Sequence, residues 1–281
     1  MGEIRMSQIE NTMNSTSDIL YVTVLYKQRL EETSAFKTLL HDRAHVYIHD
    51  NSPEPTIPDS LPAGWKYVSA PSNPGLSAAY NAAARFAKEK GLKWLMITDQ
   101  DTIYPEGAAS VYEKVIEPES AISLYMPKIR ISDGSYISPV PKRFYFSHPE
   151  KKCMDGIINL RDAAVINSGL LVKLDDFERA GGYNAKVFLD FSDFQFIDRL
   201  AKIGCKGALL DLELTQAFSA RDDSGERQLE RYKLFCRSLK GYEKDTLAIR
   251  AALWAVVAKR GLSLAIKRKS MIPFKIMWGN Y

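Results

Sequence analysis

Cysteine is scarce in this chain, and the three that occur form no pattern. Cys153, Cys205 and Cys236 are odd in number, lie far apart and have neither CxxC nor metal-ligand spacing. A disulfide framework and a redox CxxC centre are therefore excluded, and we expect buried thiols in a reducing compartment. The four histidines likewise form no HExxH or comparable group.

Long apolar runs and nucleotide-binding glycine motifs are also missing. No stretch approaches the ~18 apolar residues of a membrane-spanning helix, and the polar N-terminus lacks the apolar core of a secretory signal. We therefore expect a cytoplasmic protein, and peripheral contact with the inner face of the plasma membrane stays open. Neither GxGxxG nor GxxxxGK[ST] occurs, which argues against dinucleotide-binding and P-loop chemistry.

The composition that is present is that of a folded protein, with 46% apolar and 26% charged residues in 281. The net charge of +4 is uneven, because the chain from residue 227 onward has thirteen Lys or Arg and three acids. That region carries +10 and the rest about −6. We predict a disordered segment over 1–17, a main domain over 18–222 and a basic helical region over 223–281.

Strand-like and helix-like patterns alternate in the first hundred residues. ILYVTVLY is typical of a buried strand, HVYIHD, WKYVSA and KWLMIT predict three more strands, and the alanine-rich LSAAYNAAARFAKEK predicts a helix ending at Gly91. This alternation favours an α/β fold with a mostly parallel sheet. Farther on, SLYMPKIRI and SYISPV predict a hairpin, and AAVINSGLLVKL (163–174) predicts another strand.

Polar residues follow three of these strands. They are Tyr26-Lys27, Asp50-Asn51 and Asp99-Gln100-Asp101. Because ligands bind at the carboxyl ends of parallel strands, we expect the three clusters to line one crevice. Asp99 and Asp101 point opposite ways while the chain is extended, but a turn after the strand would let both reach a hydrated divalent cation. The alternative is a solvated turn.

Two more segments contain candidate ligand contacts. In PSNPGLSAAYN, a loop with Asn73 and Gly75 enters a helix whose free N–H groups favour an anion such as phosphate; a plain N-cap loop is the alternative. In VFLDFSDFQFIDRL, Asp190 and Asp193 are three apart, which predicts one face of a helix N-terminus. Capping accounts for one acid, and the second is predicted to face a cleft as a base.

Six segments in this order resemble glycosyltransferase family 2, the inverting GT-A enzymes, and more narrowly its rhamnosyltransferase-like branch. They span roughly residues 18–215 and read ILYVTVLYK, VYIHDNS, NPGLSAAYNAA, WLMITDQDT, NSGLLVKLDDFERAGGYN and VFLDFSDFQFIDRLAKIG. The resemblance implies a GT-A fold, the Rossmann-like sheet of nucleotide-diphospho-sugar transferases, with a C-terminal helical appendage.

The resemblance also implies roles for individual residues. Those at the nucleotide end are Thr23, Tyr26 and Asp50 beside the base and ribose, and Asn73 and Gly75 near the nucleotide-sugar. At the reacting end, Asp99 and Asp101 would bind Mg²⁺ or Mn²⁺, with Asp101 as the direct ligand. The donor sugar and the acceptor would lie beside Asn167, Ser168 and Gly169. Asp193 would be the general base, with Asp190 as its substitute.

The chemistry implied by the resemblance is a single displacement. A sugar, rhamnose or another hexose, would pass from a UDP- or dTDP-linked donor to a saccharide or polyprenyl-linked acceptor in surface polysaccharide biosynthesis. Two positions depart from the family pattern: Gln195 stands where Glu or Asp is common, and Gln216 where many members have histidine. The alternatives are a catalytically silent binding protein and a sugar-nucleotide pyrophosphorylase, but the glycine-rich loop of the latter is missing after the first strand.

The basic C-terminal region mixes Lys and Arg with aromatic and aliphatic residues, as in LWAVVAKRGLSLAIKRKS and IPFKIMWGNY. This composition predicts either helices at an anionic membrane surface or a helical subdomain packed on the core with a solvated basic face. No recognition motif accompanies the basic residues, so nucleic-acid binding is not expected.

Overall fold

A computed structural model describes residues 18–58, 60–117, 120–143, 148–216 and 225–281. The segment 1–17, for which disorder was predicted, and the predicted boundary at 222/223 lie outside the described residues.

The first half of the chain alternates strands and helices as predicted. The strands are β1 (Ile19–Leu25), β2 (Val46–Asp50), β3 (Trp65–Ser69), β4 (Trp94–Asp99) and β5 (Thr102–Ile103). The helices are α1 (Ser34–Thr38), α2 (Leu76–Glu89) and α3 (Ala108–Lys114), with 3-10 turns at Leu30–Glu32 and Leu40–Asp42. Gly91 follows α2 with φ +72°, a left-handed conformation that ends the helix as the sequence predicted.

The second half adds shorter strands and then helices. The strands are β6 (Leu124–Arg130), β7 (Tyr136–Ser138), β8 (Val140–Pro141), β9 (Ile157–Asn159), β10 (Ala163–Ala164), β11 (Leu170–Lys173) and β12 (Lys206–Gln216). The helices are α4 (Leu174–Arg179), α5 (Ser192–Lys202), α6 (Gly225–Gly241), α7 (Leu247–Arg268) and α8 (Ile272–Asn280).

The described strands other than β8 and β10 form one sheet in the order β3-β2-β1-β4-β11-β6-β12-β5, with β7 beside β6 and β9 beside β12. Strands β1 to β4 are parallel to one another, which confirms the predicted α/β architecture. β11 then runs antiparallel between β4 and β6. The sheet is therefore mixed, and its parallel half brings the carboxyl ends of β1, β2 and β4 to one edge.

The interpretation of residues 163–174 as one strand was wrong. Two short strands, β10 and β11, are separated by a turn in which Gly169 has φ +73°. The left-handed conformation that glycine allows breaks the extended chain there. The consequence is that Asn167 and Ser168 lie next to the end of β4 rather than inside a ladder.

Apolar side chains pack on both faces of the sheet. Helices α2, α4 and α5 cover one face, where Tyr80, Ala83, Phe177 and Phe196 are buried against the strands. The other face is covered by α1 and α3 and buries Trp94 and Tyr112. Both faces of the central strands are buried, which explains why β1 and β4 are continuous apolar runs rather than alternating ones.

The C-terminal helices α6, α7 and α8 have an apolar core of their own. It contains Tyr232, Phe235, Leu239, Leu253 and Val257. Val187 and Phe191, from the segment that leads into α5, pack against this core and connect it to the main domain. These helices thus pack on one another, and α6 lies against the residues that precede α5.

Candidate active site

One cavity of about 400 Å³ collects polar side chains from distant parts of the chain. Its polar lining residues include Asp99, Asn167, Asp190, Asp193, Gln216 and Arg231. The sequence predicted four of these as site residues and noted Gln216 as a departure from the family pattern. The cavity therefore brings together the predicted metal-binding strand end, the predicted donor and acceptor segment, and the predicted base.

Asp99 is the last residue of β4 and is held from the neighbouring turn. Its Oδ2 accepts a hydrogen bond from the Ser168 hydroxyl. Burial raises the pKa of Asp99 to about 6; the hydrogen bond from Ser168 opposes this shift, and the negative charge of Asp101 adds to it. Ser168 thus fixes the orientation of the Asp99 carboxylate. The sequence did not predict this hydrogen bond.

Asp101 lies in the turn after β4 and is exposed. The turn is tied to the end of β1, because Gln100 Oε1 accepts from the Tyr26 N–H at 3.0 Å and the Gln100 carbonyl accepts from the Ser34 N–H at 2.9 Å. The turn places Asp101 close enough to Asp99 for its charge to act on the Asp99 pKa. Two carboxylates of like charge held this way are an arrangement that a divalent cation would stabilise.

Asp193 lies in the first turn of α5. Burial raises the pKa of Asp193 to about 7; a hydrogen bond from the Phe194 N–H at 2.8 Å opposes the shift, and the charges of Asp99 and Asp190 add to it. A carboxylate with a pKa near neutrality suits a general base.

The prediction that Asp190 and Asp193 share one face of a helix was wrong. α5 begins at Ser192, and Phe191 before it has φ +69°, so Asp190 precedes the helix. The left-handed residue turns the chain, and both carboxylates still line the cavity.

Arg231 is a cavity residue that the sequence did not reveal. It comes from α6, and its Nη2 lies 3.9 Å from Asp190 Oδ1. Among the described residues, Arg231 Nε and Asp190 Oδ2 are buried without a hydrogen-bond partner. Buried polar atoms are nearly always paired. Arg231 Nε can therefore donate a hydrogen bond to a ligand, and Asp190 Oδ2 can accept one. No motif marks Arg231, because it sits among the many basic residues of the C-terminal region.

The two departures from the family pattern have different surroundings. The Gln195 side chain is 2% exposed and its Oε1 accepts from Asn184 Nδ2 at 2.9 Å. It lines a separate cavity with Lys142 and Asp198, so it does not face Asp193. Of the two, only Gln216 lines the cavity of Asp99.

The residues predicted to contact the nucleotide base and ribose lie in or just after β1 and β2, but they differ in how exposed their side chains are to a ligand. Thr23 is buried in β1, and Tyr26 is 45% exposed. Asp50 is buried, its Oδ1 accepting from the Ser52 N–H at 2.9 Å and its Oδ2 from the Tyr67 hydroxyl at 2.6 Å. Asp50 would have to exchange the Tyr67 bond for a ribose hydroxyl.

A second cavity of about 520 Å³ opens beside these strand ends. Lys27, Arg29, Ser52 and Thr56 are among its lining residues. Its position next to Tyr26 and Asp50 is where the resemblance expects a nucleoside, and its lining holds two cationic and two acidic side chains, Lys27 and Arg29 with Glu32 and Glu54.

The helix N-terminus at Gly75 is less open than predicted. The Leu76 N–H, expected to be free, donates to the Phe188 carbonyl at 3.1 Å, and the Ser77 hydroxyl donates to the Val187 carbonyl at 2.7 Å. A Cβ atom on Gly75, whose φ is +90°, would come within 2.5 Å of the Phe188 oxygen. Gly75 therefore allows this close contact, which positions the segment leading to Asp190. Asn73 has a left-handed φ of +47° in the preceding loop.

Asn167 and Gly169 differ in their access to the cavity. Asn167 lines it, and its Oδ1 accepts from the Tyr183 hydroxyl at 2.6 Å. Gly169 is buried, and its carbonyl accepts from the Tyr112 hydroxyl at 2.8 Å. A Cβ atom there would lie 2.7 Å from Leu214 Cδ1 and from the Tyr112 hydroxyl.

We expect Gly169→Ala to lower the free energy of unfolding by about 3 kcal/mol, since the methyl group adds overpacking to an unfavourable backbone conformation. Urea denaturation measures this change. Gly156→Ala is the matched control, because Gly156 also has a positive φ of +67° but has no heavy atom within 4 Å of its Cβ position. Equal losses in both variants would contradict the packing role of Gly169.

The mixed, mostly parallel sheet flanked by helices, with carboxylates from β4 and α5 in one cavity, is consistent with the predicted GT-A-like α/β fold. The chain is similar to the dTDP-rhamnosyl transferase RfbF of Shigella flexneri, with 25% identity over 192 residues, 67% of this chain and 64% of that protein. The match spans less than two thirds of the relative's length. It confirms the predicted resemblance to GT-A glycosyltransferases, and assignment to family 2 stays a prediction. No protein-family model matches the chain.

Two solved structures show remote likeness. One is the mannosyltransferase PcManGT from Pyrobaculum calidifontis in complex with GDP-Man and Mn²⁺, with 14% identity and a TM-score of 0.49 over 93% of this chain and 79% of that one. The other is residues 1–349 of S. aureus TarS, with 12% identity and a TM-score of 0.44 over 87% and 72%. Neither likeness is close enough to inform the site.

Proposed function

We propose that the protein transfers a sugar from a nucleoside-diphosphate donor to an acceptor hydroxyl by single displacement with inversion. The observation that carries this proposal is the shared cavity of Asp99, Asp193 and Arg231, which holds both a carboxyl whose pKa is raised to about 7 and a guanidinium. The similarity to a dTDP-rhamnosyl transferase supports a dTDP-sugar as donor, with rhamnose as the first candidate. We also place this activity in the cytoplasm, consistent with the scarce cysteines.

In this mechanism the Asp193 carboxylate accepts the proton of the acceptor hydroxyl. The acceptor oxygen forms a bond to the anomeric carbon while the bond from that carbon to the phosphate oxygen breaks. The diphosphate leaves with the bonding electron pair. Because Asp193 lies beside Asp99 and Asp190, the proton also relieves repulsion among three carboxylates.

Asp99 and Asp101 fit a divalent cation that also binds the diphosphate. Among the described residues no group of three or more His, Cys, Asp or Glu side chains could hold a metal. Mg²⁺ in phosphate sites, however, takes one or two carboxylates and fills its other positions with water and phosphate oxygens. The paired carboxylates after β4 match that pattern, with Asp101 as direct ligand and Asp99 held by Ser168. When bound, Mg²⁺ or Mn²⁺ would neutralise charge on the departing diphosphate.

We assign Arg231 to the diphosphate. Its guanidinium enters a cavity with three acids and carries unused donor capacity at Nε. Arg231→Met is expected to raise the KM for the donor by about 10- to 100-fold, because a charge-assisted hydrogen bond to phosphate is lost. Steady-state kinetics with varied donor measures this change.

The matched control for this prediction is Arg237→Met, an exposed arginine on the same helix. It should leave the KM unchanged. An unchanged donor KM in Arg231→Met would contradict the assignment of Arg231 to the diphosphate.

The proposed function is tested by incubating the purified protein with dTDP-, UDP- and GDP-sugars, with and without Mn²⁺, and measuring released nucleoside diphosphate. We expect slow donor hydrolysis with a dTDP-sugar and less with the others. Isothermal titration of the same nucleoside diphosphates identifies the main alternative, since Gln216 in the cavity also fits a silent binding protein. Binding without turnover in the presence of saccharide and polyprenyl-linked acceptors supports that alternative, and no binding of any nucleotide overturns both.

A further inference from the structure

An apolar stripe faces solvent on α7. Leu247, Trp254, Leu262 and Ile266 are between 51% and 81% exposed, whereas Leu253 and Val257 of the same helix are buried in the C-terminal core. With 3.6 residues per turn, the four exposed side chains fall within an arc of about 120°. The outward side of a packed helix is normally polar, so this stripe is not explained by the fold.

The stripe continues onto the last helix. Met271, Ile272 and Trp278, in and before α8, are 66%, 46% and 79% exposed. α8 packs on α7 and α6 through Met277, which is buried in the same core. The exposed apolar side chains of α7 and α8, from Leu247 to Trp278, are called the apolar face below.

The charged residues of the segment that contains the apolar face have one sign. Residues 246–281 contain seven Lys or Arg and no Asp or Glu. Lys267, Lys269 and Lys275 are exposed at the end of α7 and on α8. A face with aromatic and aliphatic side chains and a basic border matches an anionic surface with an apolar layer beneath it.

We propose that the apolar face docks on the surface of an anionic lipid bilayer. None of the described helices is long and apolar enough to cross a membrane, so α7 and α8 would lie in the interface, with the apolar side chains buried about 5–10 Å deep. Trp254 and Trp278 are suited to the headgroup level, where tryptophan is enriched. A second copy of this chain fits less well, because pairing two such faces would bring the basic residues of α7 and α8 from both copies together.

This inference does not depend on the proposed function, and its test uses no sugar donor. The full-length protein is sedimented with vesicles of phosphatidylcholine mixed with phosphatidylglycerol, and with vesicles of phosphatidylcholine alone. We expect binding to the anionic vesicles that weakens as salt is added, and a blue shift of tryptophan emission on binding. The shift should disappear in a Trp254→Phe/Trp278→Phe variant, since Trp94 is buried and Trp65 half-buried in the main domain.

Two variants separate the charge from the apolar contribution. Lys267→Gln/Lys269→Asn/Lys275→Gln should weaken binding to anionic vesicles on the order of 100-fold, because each basic residue near the surface contributes severalfold. Leu262→Gln/Ile266→Gln should weaken it by at least about 10-fold. Ile57→Gln/Ile157→Gln is the matched control, with 67% and 70% exposed side chains outside the apolar face, and should bind as the wild type does. All these positions are exposed, so the urea midpoints should stay equal.

Three outcomes would overturn the proposal. The first is no binding to anionic vesicles, and the second is binding that Leu262→Gln/Ile266→Gln leaves unchanged. The third is a dimer in sedimentation velocity that this double variant dissociates, which would assign the apolar face to contact between copies of the chain.

Discussion

Asp193→Asn is expected to lower the rate of sugar transfer by about 10²- to 10⁴-fold, the usual contribution of a positioned general base. The amide keeps the size of the side chain and can still accept the Phe194 N–H bond, but it cannot accept the proton of the acceptor hydroxyl. Donor binding should be retained, because the assigned diphosphate contacts are Arg231, Asp99 and Asp101. Single-turnover transfer with saturating donor measures the loss, and titration with nucleoside diphosphate checks binding.

Asp190→Asn is the control for this assignment, since Asp190 lines the same cavity and was the substitute base in the sequence interpretation. Its carboxylate is paired with Arg231 and precedes α5, so its loss should affect donor binding more than the chemical step. If Asp190→Asn abolished transfer while Asp193→Asn retained the full rate, the two roles would have to be exchanged.

The raised pKa of Asp193 gives this prediction a pH dependence. Since the base must be deprotonated, kcat/KM should fall as the pH drops below about 7, instead of near the ordinary pKa of an aspartate at about 4. Asp193→Asn should show no such acidic limb in its residual rate. A wild-type profile that is flat from about pH 5 to 8 would contradict the assignment of Asp193 as the base.

The raised pKa of Asp193 also predicts that this residue lowers the stability of the folded protein at neutral pH. The folded-state pKa of Asp193 lies above the unfolded value, so this carboxyl favours folding below about pH 4 and progressively disfavours it as the pH rises to about 7. Asp193→Asn removes the ionisation, and at about pH 8 it should melt at least about 3 °C higher than the wild type. A gain in stability together with a loss of rate would distinguish a catalytic group from a structural one.

The sequence was most informative about elements buried on both faces. β1 and β4 are continuous apolar runs, and α2 has an alanine stripe and a terminal glycine, so composition alone determines their type. The same runs located Asp99, because a carboxylate at the end of such a strand is conspicuous. Two of the wrong predictions concern single backbone conformations: the left-handed Phe191 before α5 and Gly169 within residues 163–174. A third, the free N–H at the start of α2, was wrong because the Phe188 carbonyl accepts the Leu76 N–H.

Contacts between distant segments could not be predicted from sequence patterns. Arg231 reaches Asp190 because α6 packs through Phe235 and Cys236 on the segment that holds Val187 and Phe191. Nothing in the local pattern of either segment requires that packing, since it depends on how two apolar surfaces match after both have folded. The bond from Ser168 to Asp99 has the same origin, because it joins residues whose strands pair only in the sheet.

Asp101→Asn is expected to remove the metal dependence of nucleotide binding. With Mn²⁺ present, the affinity for the nucleoside diphosphate should fall by about 10- to 100-fold, because one of two carboxylates is lost from a cation that also binds the phosphates. Without Mn²⁺ the affinity should equal that of the wild type, since Arg231 still contacts the diphosphate. Isothermal titration with and without Mn²⁺ measures both values. Asp155→Asn, at an exposed aspartate, is the control and should behave as the wild type does.

Asp99→Asn should differ from Asp101→Asn in one respect. Asp99 is held by Ser168 and influences the pKa of Asp193, so its neutralisation should both weaken Mn²⁺-dependent binding and move the acidic limb of the pH profile to lower pH. Asp101→Asn should weaken Mn²⁺-dependent binding but leave the acidic limb of the pH profile where it is. If chelating agents left the wild-type rate unchanged and both variants bound nucleotide normally, the charge of the leaving diphosphate would be balanced by Arg231 without a metal ion. The cavity allows that result, because the Arg231 guanidinium lines it together with Asp99 and Asp190.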